Sequence, residues 1–391
     1  MTVAPVLVAA RRTPIATAGR GFAAHTVDAL AAPVLAEVAA ALAPAGIEID
    51  DVVLGNCMGP GGDVARVAAL RAGLGERVPG VTVDRQCGSG LDAVMQAASR
   101  VRAGDARLLL AGGAESASTA PHRTWPGTGE RYARAPFAPA GFPDPDMGPA
   151  ADRLAAVLGI SRARQDAWAA RSHARAAAAQ AAGVFDAELV AVGGVTRDDR
   201  PRAAMDAARL ARFAPAFAGH ETDAAAGVPR HEASARGTVT AGNSCGVSDG
   251  AAAMAVTTER VARELGLPAL RVRATAVAAV DPALPGIGAA PAARAALARA
   301  GMTVGDLGFV EITEAFAAQL LAVSDDLGLD EELVSADGGA IALGHPWGAS
   351  GAVLLVRLAA RMAAADDARP GLAACSIGGG QGIAMIVERV A

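Results

Sequence analysis

The sequence predicts an α/β protein built from two copies of one layered unit, and three observations predict it. Short apolar runs of strand length alternate with longer runs of helical period. Glycine punctuates the junctions, and a pattern from the first third of the chain returns near its end. In order along the chain, Met1 to Ala10 lacks a basic n-region and runs into Arg11-Arg12-Thr13-Pro14, so it reads as a first strand and turn rather than an export signal. Val27 to Ala43 spaces Ala, Leu and Val as a helix around Asp28 and Glu37, and Pro44-Ala45-Gly46 ends it. Asp51-Val52-Val53-Leu54-Gly55 is a short buried strand, Val64 to Ala72 a helix closed by Gly73, and Val81-Thr82-Val83 another strand. Gly88-Ser89-Gly90 turns into a helix from Leu91 to Arg102, and Leu108-Leu109-Leu110-Ala111 is a third apolar strand ending at Gly112-Gly113.

The middle of the chain has a different character. Pro121, Pro126, Pro136, Pro139, Pro143, Pro145 and Pro149 crowd residues 120–149, which predicts a long loop region. Ser161 caps a helix reaching about Ala182, stopped by Gly183. Residues 203–237 are again loopy, an insertion of the kind that bears on a site. The late part then repeats the early part. Ala45-Gly46-Ile47 through Asp51-Val52 returns as Ala300-Gly301-Met302 through Asp306-Leu307, and Gly88-Ser89-Gly90 returns as Ala349-Ser350-Gly351. Asp105-Ala106-Arg107 returns as Asp367-Ala368-Arg369, each time before an apolar strand. Two halves packed about a pseudo-twofold axis would bring the helix starts after Gln86 and after Pro346 to one shared cleft.

Composition bounds the function. The 391 residues are 52% apolar and 19% charged, enough for a sizeable core, and at about 150 residues per domain they predict two to three domains. Thirty-five basic against 40 acidic residues leave a net charge of −5, so no basic surplus exists to neutralise nucleic-acid phosphates. Every basic residue is Arg, which excludes Schiff-base lysine, a pyridoxal-phosphate anchor and a P-loop lysine. No apolar run is long enough to span a bilayer. Cys57, Cys87, Cys245 and Cys375 lie far apart with no C-x-x-C pair, which fits reduced thiols in a cytoplasm and offers no metal site.

Four segments carry chemistry. Cys87 sits between a strand and the Gly88-Ser89-Gly90 that opens a helix, so its sulfur is expected to face unpaired N–H groups and the positive end of the helix dipole, with a lowered pKa. His345 lies in Gly338-Gly339-Ala340-Ile341-Ala342-Leu343-Gly344-His345-Pro346, ahead of a glycine-punctuated helix start, where small neighbours let the imidazole reach a cavity. The other five histidines, His25, His122, His173, His220 and His231, read as surface. A Cys and a His in repeat-related positions suit a nucleophile and its activator. Cys375-Ser376-Ile377-Gly378-Gly379-Gly380-Gln381-Gly382 offers N–H groups to an oxyanion, or is simply a tight turn. Glu311-Ile312-Thr313-Glu314-Ala315-Phe316 places two acids at a strand-to-helix junction, where helix capping is the plain alternative.

Together these segments resemble the thiolase family over nearly the whole chain. The resemblance includes Val8 to Pro14, Cys87-Gly88-Ser89-Gly90-Leu91, Ala111-Gly112-Gly113-Ala114-Glu115-Ser116 and Gly237-Thr238-Val239-Thr240-Ala241-Gly242-Asn243. It continues through Asp249-Gly250-Ala251-Ala252, Glu314 to Gln319, Gly338 to Ser350 and Gly378 to Gly382. It implies a five-layer αβαβα fold from two duplicated halves with an inserted loop domain: residues 1–116 with 238–266 as one half, 117–237 as the coenzyme A-binding insertion, and 267–391 as the other half. It also implies a homodimer or homotetramer acting on coenzyme A thioesters, with no covalently bound cofactor. By position, Cys87 takes the acyl group and His345 activates it. The N–H groups of Cys87 and Gly378 form an oxyanion hole, and Met147, Cys245, Ala315 and Phe316 contact substrate or coenzyme A.

Two positions depart from the family pattern. Thiolases carry Asn before Glu-Ala-Phe, holding a water for a second oxyanion hole; here it is Thr313. They carry Cys before Ile-Gly-Gly-Gly as base for the α-proton; here it is Ser376. Alternation along a strand turns Cys375 away if Ser376 faces the cleft, so Cys375 could substitute only through a bulge or a one-residue slip. Smaller departures are Cys245 at a small-hydroxyl position, Ala214-Pro215 for Arg-Pro, Pro285 for Met, and a longer stretch at 218–236. Three readings follow: acyl transfer with an impaired Claisen step, a divergent enzyme using a malonyl-type extender or another acceptor, and a non-catalytic acyl-coenzyme A-binding paralogue.

Overall fold

The computed structural model describes residues 4–217 and 237–390. The first part of the chain forms β1 (Pro5–Arg12), β2 (Ala16–Thr17), α1 (Val27–Leu42), β3 (Asp51–Gly55), α2 (Val64–Arg71), β4 (Gly80–Val83), α3 (Ser89–Ala103) and β5 (Leu108–Glu115). The middle holds the small pair β6 (Arg123–Thr124) and β7 (Arg131–Tyr132), then α4 (Met147–Leu158), α5 (Arg162–Ala181) and α6 (Ala207–Leu210). There follow β8 (Ser248–Thr258), α7 (Glu259–Leu265), β9 (Leu270–Ala279), α8 (Ala289–Ala300), β10 (Phe309–Ile312) and α9 (Ala317–Leu327). The chain closes with α10 (Ala340–Leu343), α11 (Trp347–Ala364), β11 (Gly371–Ile377) and β12 (Gln381–Arg389).

The duplication read from the sequence is written into the sheet. One half orders its strands β3-β5-β8-β1, with β4 added outside β3; the other orders them β10-β11-β12-β9. In both, the first pair is parallel (β3 with β5, β10 with β11) and the next two pairs are antiparallel. A short pairing of Val6 and Leu7 with Arg271 and Leu270 joins the halves edge to edge. Three separate apolar cores then define five layers. One lies between α1 and α2 and the outer face of the first half-sheet, through Leu30, Leu35, Val52, Leu54 and Leu110. The central core packs α3 and α11 between the two half-sheets. The third sets α8 and α9 on the far face of the second half-sheet, through Ala293, Leu320, Val310, Leu372 and Ile386.

Local chemistry explains the elements. Ser161 caps α5 by accepting from the Arg164 N–H at 3.2 Å. Alpha-helix α4 begins inside the proline-rich stretch, at Met147, because Pro149 falls in its first turn, where an N–H is not needed. Between β1, α11 and the middle segment runs a buried ion network: Arg12 donates to Glu188 at 2.6 Å and to both oxygens of Asp198 at 2.7 and 2.9 Å, and Arg357 also pairs with Glu188. Among the described residues no helix is long and apolar enough to cross a membrane.

One expectation about histidine fails. His122 is exposed and His25 half-buried, but His173 is buried in α5 at 4% exposure. Burial first, then the charges of Arg200 and Arg202, push its pKa down to about 4. The Ala- and Arg-rich surroundings of His173 conceal an inward helix face. His220, His231 and the long 218–236 stretch lie outside the described residues.

Candidate active site

Two helix starts meet in the central layer. Helix α3 begins directly after Cys87-Gly88, and α11 directly after His345-Pro346. A Cβ on Gly90 would stand 2.8 Å from the Gly348 carbonyl, and one on Gly351 would stand 2.5 Å from the Leu91 nitrogen. Each of these repeat-related glycines is there because the other helix's backbone occupies the space. Glu115 at the end of β5 ties the junction: its carboxylate accepts the N–H groups of Cys57 and Gly348 at 3.1 and 3.0 Å, and those of Met58 and the Asn56 amide at 3.1 and 2.9 Å.

The turn carrying Cys87 is held in a strained conformation. Gln86 has φ +48°, a region that side-chain-bearing residues rarely adopt, and the Asp84 carboxylate accepts its N–H at 2.8 Å. Ser89 accepts from the Arg85 N–H at 2.8 Å and donates to the Gln86 carbonyl at 2.6 Å. Gly88 has a packing reason that its sequence context hides, since a Cβ there would lie 2.5 Å from the Ile377 side chain. Cys87 is half-buried, and the N–H groups of Gly378 and of Cys87 itself favour its thiolate. Gly378 heads the turn between β11 and β12, completed by Gly379 and Gly380 at φ +80° and +77°. The Phe137 ring covers that turn, 2.5 Å from where a Gly378 Cβ would be.

The expected low pKa of Cys87 is overturned. Burial outweighs both N–H donors and pushes the thiol up to about 12. Lost hydration of the thiolate raises a thiol pKa against the donors and the dipole that lower it. Cys87 therefore rests as a thiol.

His345 stands directly before the start of α11. The ring is buried, and its Nδ1 lies 2.6 Å from the Ser350 hydroxyl. Ser350 donates to the Pro346 carbonyl at 3.1 Å, so its oxygen accepts from Nδ1–H and the lone pair is left on Nε2. Nε2 has no protein partner. Burial holds the imidazole pKa down at about 4, so it rests neutral.

Backbone pairing brings Cys245, Ala315 and Phe316 beside this histidine. The His345 N–H donates to the Gly246 carbonyl at 3.2 Å, the Cys245 N–H to the Ala315 carbonyl at 3.0 Å, and Ser244 pairs with Phe316. The Cys245 thiol, itself pushed up to about 12 by burial, is within electrostatic reach of Cys87. Met147 opens α4, half-buried, on the helix that packs against α9.

Strand alternation separates the two neighbours on β11. Ser376 is half-buried and donates to the Gly286 carbonyl at 2.6 Å, while accepting from the Ala289 N–H at 3.1 Å and the Gln319 amide at 3.4 Å. Cys375 points the opposite way into the central core, fully buried, with the Thr313 hydroxyl 3.0 Å from its sulfur. The register of β11 with β12 runs unbroken through Cys375, Ser376 and Ile377, so no bulge turns Cys375 toward the turn at Ser376. Thr313 is thus occupied with Cys375. Glu314 does not cap the helix that follows it, α9; it accepts the Ile341 N–H of α10 at 3.1 Å, Trp168 at 2.9 Å and Ser172 at 2.7 Å. Glu311 pairs with Arg361 at 2.5 Å.

Sequence reasoning missed Ser350 and Gln319 as partners of His345 and Ser376. For Ser350 a signal existed, a hydroxyl one turn beyond His345-Pro346; for Gln319 only the fold supplies it.

The chain is similar to known proteins over nearly its whole length. The family model of the thiolase N-terminal domain matches residues 5–260, and that of the thiolase C-terminal domain residues 267–389. The chain is 41% identical over 417 residues to an acetyl-CoA acetyltransferase of Escherichia coli (strain K12), covering 98% of this chain and 99% of that one. It is 41% identical over 416 residues to a 3-ketoacyl-CoA thiolase of Escherichia fergusonii, with 98% and 99% covered. The crystal structure of the Bacillus anthracis acetyl-CoA acetyltransferase superposes with a TM-score of 0.87 at 35% identity, covering 100% of this chain and 99% of that one. With both domain families matched in order around one shared cleft, the chain belongs to the thiolase family of acyltransferases.

Proposed function

We propose that this protein transfers an acetyl or other short acyl group from a coenzyme A thioester onto Cys87 and from there back to a thiol acceptor, with Claisen condensation slow. The observation that carries the reading is the turn of Cys87 at the start of α3 packed through Gly88 against Ile377, beside the Gly378 turn, where the N–H groups of Gly378 and Cys87 favour its thiolate. In the acylation step the Cys87 sulfur bonds to the thioester carbonyl while its proton passes to His345 Nε2. The carbonyl oxygen gathers charge against the two N–H donors, then the bond to coenzyme A breaks and His345 returns the proton to the departing thiol. Ser350 keeps Nε2 the basic nitrogen throughout. Residues 117–237 are the coenzyme A-binding insertion in this reading, a role that the Phe137 ring over the Gly378–Gly379 turn supports. A cytoplasmic homodimer or homotetramer belongs to the same proposal and is tested by light scattering on the eluting protein.

The Claisen half needs a base for the α-proton, and Ser376 is poorly suited. Its hydroxyl proton is committed to the Gly286 carbonyl, and an alcohol holds almost no anion near neutral pH. The test compares acyl exchange between acetyl-coenzyme A and labelled coenzyme A with condensation of two acetyl-coenzyme A molecules. Fast exchange with little condensation supports the reading. Condensation as fast as exchange overturns the role given to Ser376, and absence of both overturns the enzyme.

A further inference from the structure

Arg200 is held beside the site: it is half-buried, and among the described residues it makes no hydrogen bond or ion pair and leaves its Nε buried without a partner. Its guanidinium lies directly on Gly246, where a Cβ would overlap it. Gly246 follows Cys245 and carries the carbonyl that receives the His345 N–H. Cys245 is the common neighbour, within electrostatic reach of both Cys87 and Arg200.

The two acids just before Arg200 in sequence place their hydrogen bonds on other partners. Asp198 is spent on Arg12, and Asp199 accepts the Thr17 N–H and hydroxyl at 3.0 Å each. Those anchors fix the segment immediately before Arg200. Burial disfavours the charge most; Cys245 and Asp199 favour it from a distance, while the exposed Arg202 and Arg20 repel it. The buried His173 beside it has an Nδ1 with no partner among the described residues. A half-buried guanidinium with no hydrogen-bonded anion gains free energy when a carboxylate pairs with it. Coenzyme A phosphates lie a pantetheine arm away from the thioester, so they are the wrong anion for a group this close to the Cys245 neighbourhood.

We propose that Arg200 is a specificity residue that receives the free carboxylate of a carboxyacyl thioester, a dicarboxylic acid joined through one end to coenzyme A. The proposal rests on the acyltransferase reading above. The covalent step is the same exchange: the Cys87 sulfur bonds to the thioester carbonyl, the carbonyl–sulfur bond to coenzyme A breaks, and the Cys87 proton ends on the coenzyme A thiol. The distal carboxylate reacts with nothing and pairs with Arg200.

The test measures kcat/KM for acyl exchange with succinyl-, malonyl- and acetyl-coenzyme A in the full-length protein and in Arg200→Gln and Arg200→Lys. The quantity read is the preference for a carboxyacyl over the acetyl donor, so a general loss of folding or coenzyme A binding cancels. The expected result is a preference that falls about tenfold or more in Arg200→Gln and is partly restored in Arg200→Lys. Which carboxyacyl donor shows the loss, succinyl or malonyl, fixes the reach of the site. The same loss must persist with carboxyacyl-pantetheine thioesters, which lack the phosphates. A preference unchanged by Arg200→Gln, or a loss confined to phosphate-bearing donors, overturns the assignment. If Cys87 is acylated by no donor, it is the acyltransferase reading that fails.

Discussion

At the scale of single residues, the hydroxyl of Ser350 has the clearest predicted effect. Ser350→Ala removes the acceptor that holds the proton on Nδ1, so the imidazole can flip or change tautomer. Acyl exchange should fall by about 10- to 100-fold in kcat with little change in KM, measured by isotope exchange at saturating donor. Ser376→Cys supplies a thiol where the family carries its base. Condensation should rise in the variant while exchange stays within about threefold, assayed side by side. These outcomes mark how far residue chemistry was legible in the sequence. The opposite orientations of Cys375 and Ser376 followed from strand alternation alone. The protonation state of Cys87 did not, because a strand–Cys–Gly–helix string displays the dipole and hides the depth of burial. His173 misled for the same reason.

Elements are fixed by what their glycines touch. Helices α3 and α11 approach through Gly90 and Gly351, and the sequence repeat pointed to both before any packing was known. Gly351→Ala ordinarily strengthens a helix by up to about 1 kcal/mol. Here the new methyl would stand 2.5 Å from a backbone nitrogen at Leu91, which cannot swing aside. The clash should win, destabilising the protein by about 1–3 kcal/mol, read as a lower midpoint in urea with unchanged slope. Pro33 shows the opposite case. It lies inside α1 yet does not end it, because Leu30, Val34, Leu35 and Val38 are all buried on one core. The prolines of 120–149 did prevent long elements, as composition predicted, leaving only the β6–β7 pair and the start of α4.

For the whole molecule, buried titratable groups set a pH window. His345 and His173 are both pushed down to about 4 in the fold from an ordinary value of 6.5. Below pH 6.5 the unfolded chain binds protons that the fold refuses, so stability is lost as pH falls toward 4, by roughly 2 kcal/mol per histidine at pH 5. Cys87, Cys245 and Cys375 are pushed up to about 12 from 9.0. Above pH 9 the unfolded thiols ionise first, so stability is lost again as pH rises toward 12. Thermal midpoints should therefore plateau between about pH 6.5 and 9, and His173→Gln should flatten the acid side. A midpoint that keeps rising below pH 6 would show these histidines charged in the fold. The doubled half-sheets were legible because repetition leaves a pattern in sequence. The contacts that bring Phe137, Gln319 and Arg200 to the site come from distant segments with no shared period, and only the folded chain reveals them.

The most direct measurement is peptide mass spectrometry of the protein quenched after mixing with acetyl-coenzyme A. One acetyl group on the Cys87 peptide, lost again when free coenzyme A is added and slow to form in His345→Ala, is the predicted result. A Cys87 peptide that stays unmodified, or an acetyl group on Cys57 or Cys245 instead, would contradict it.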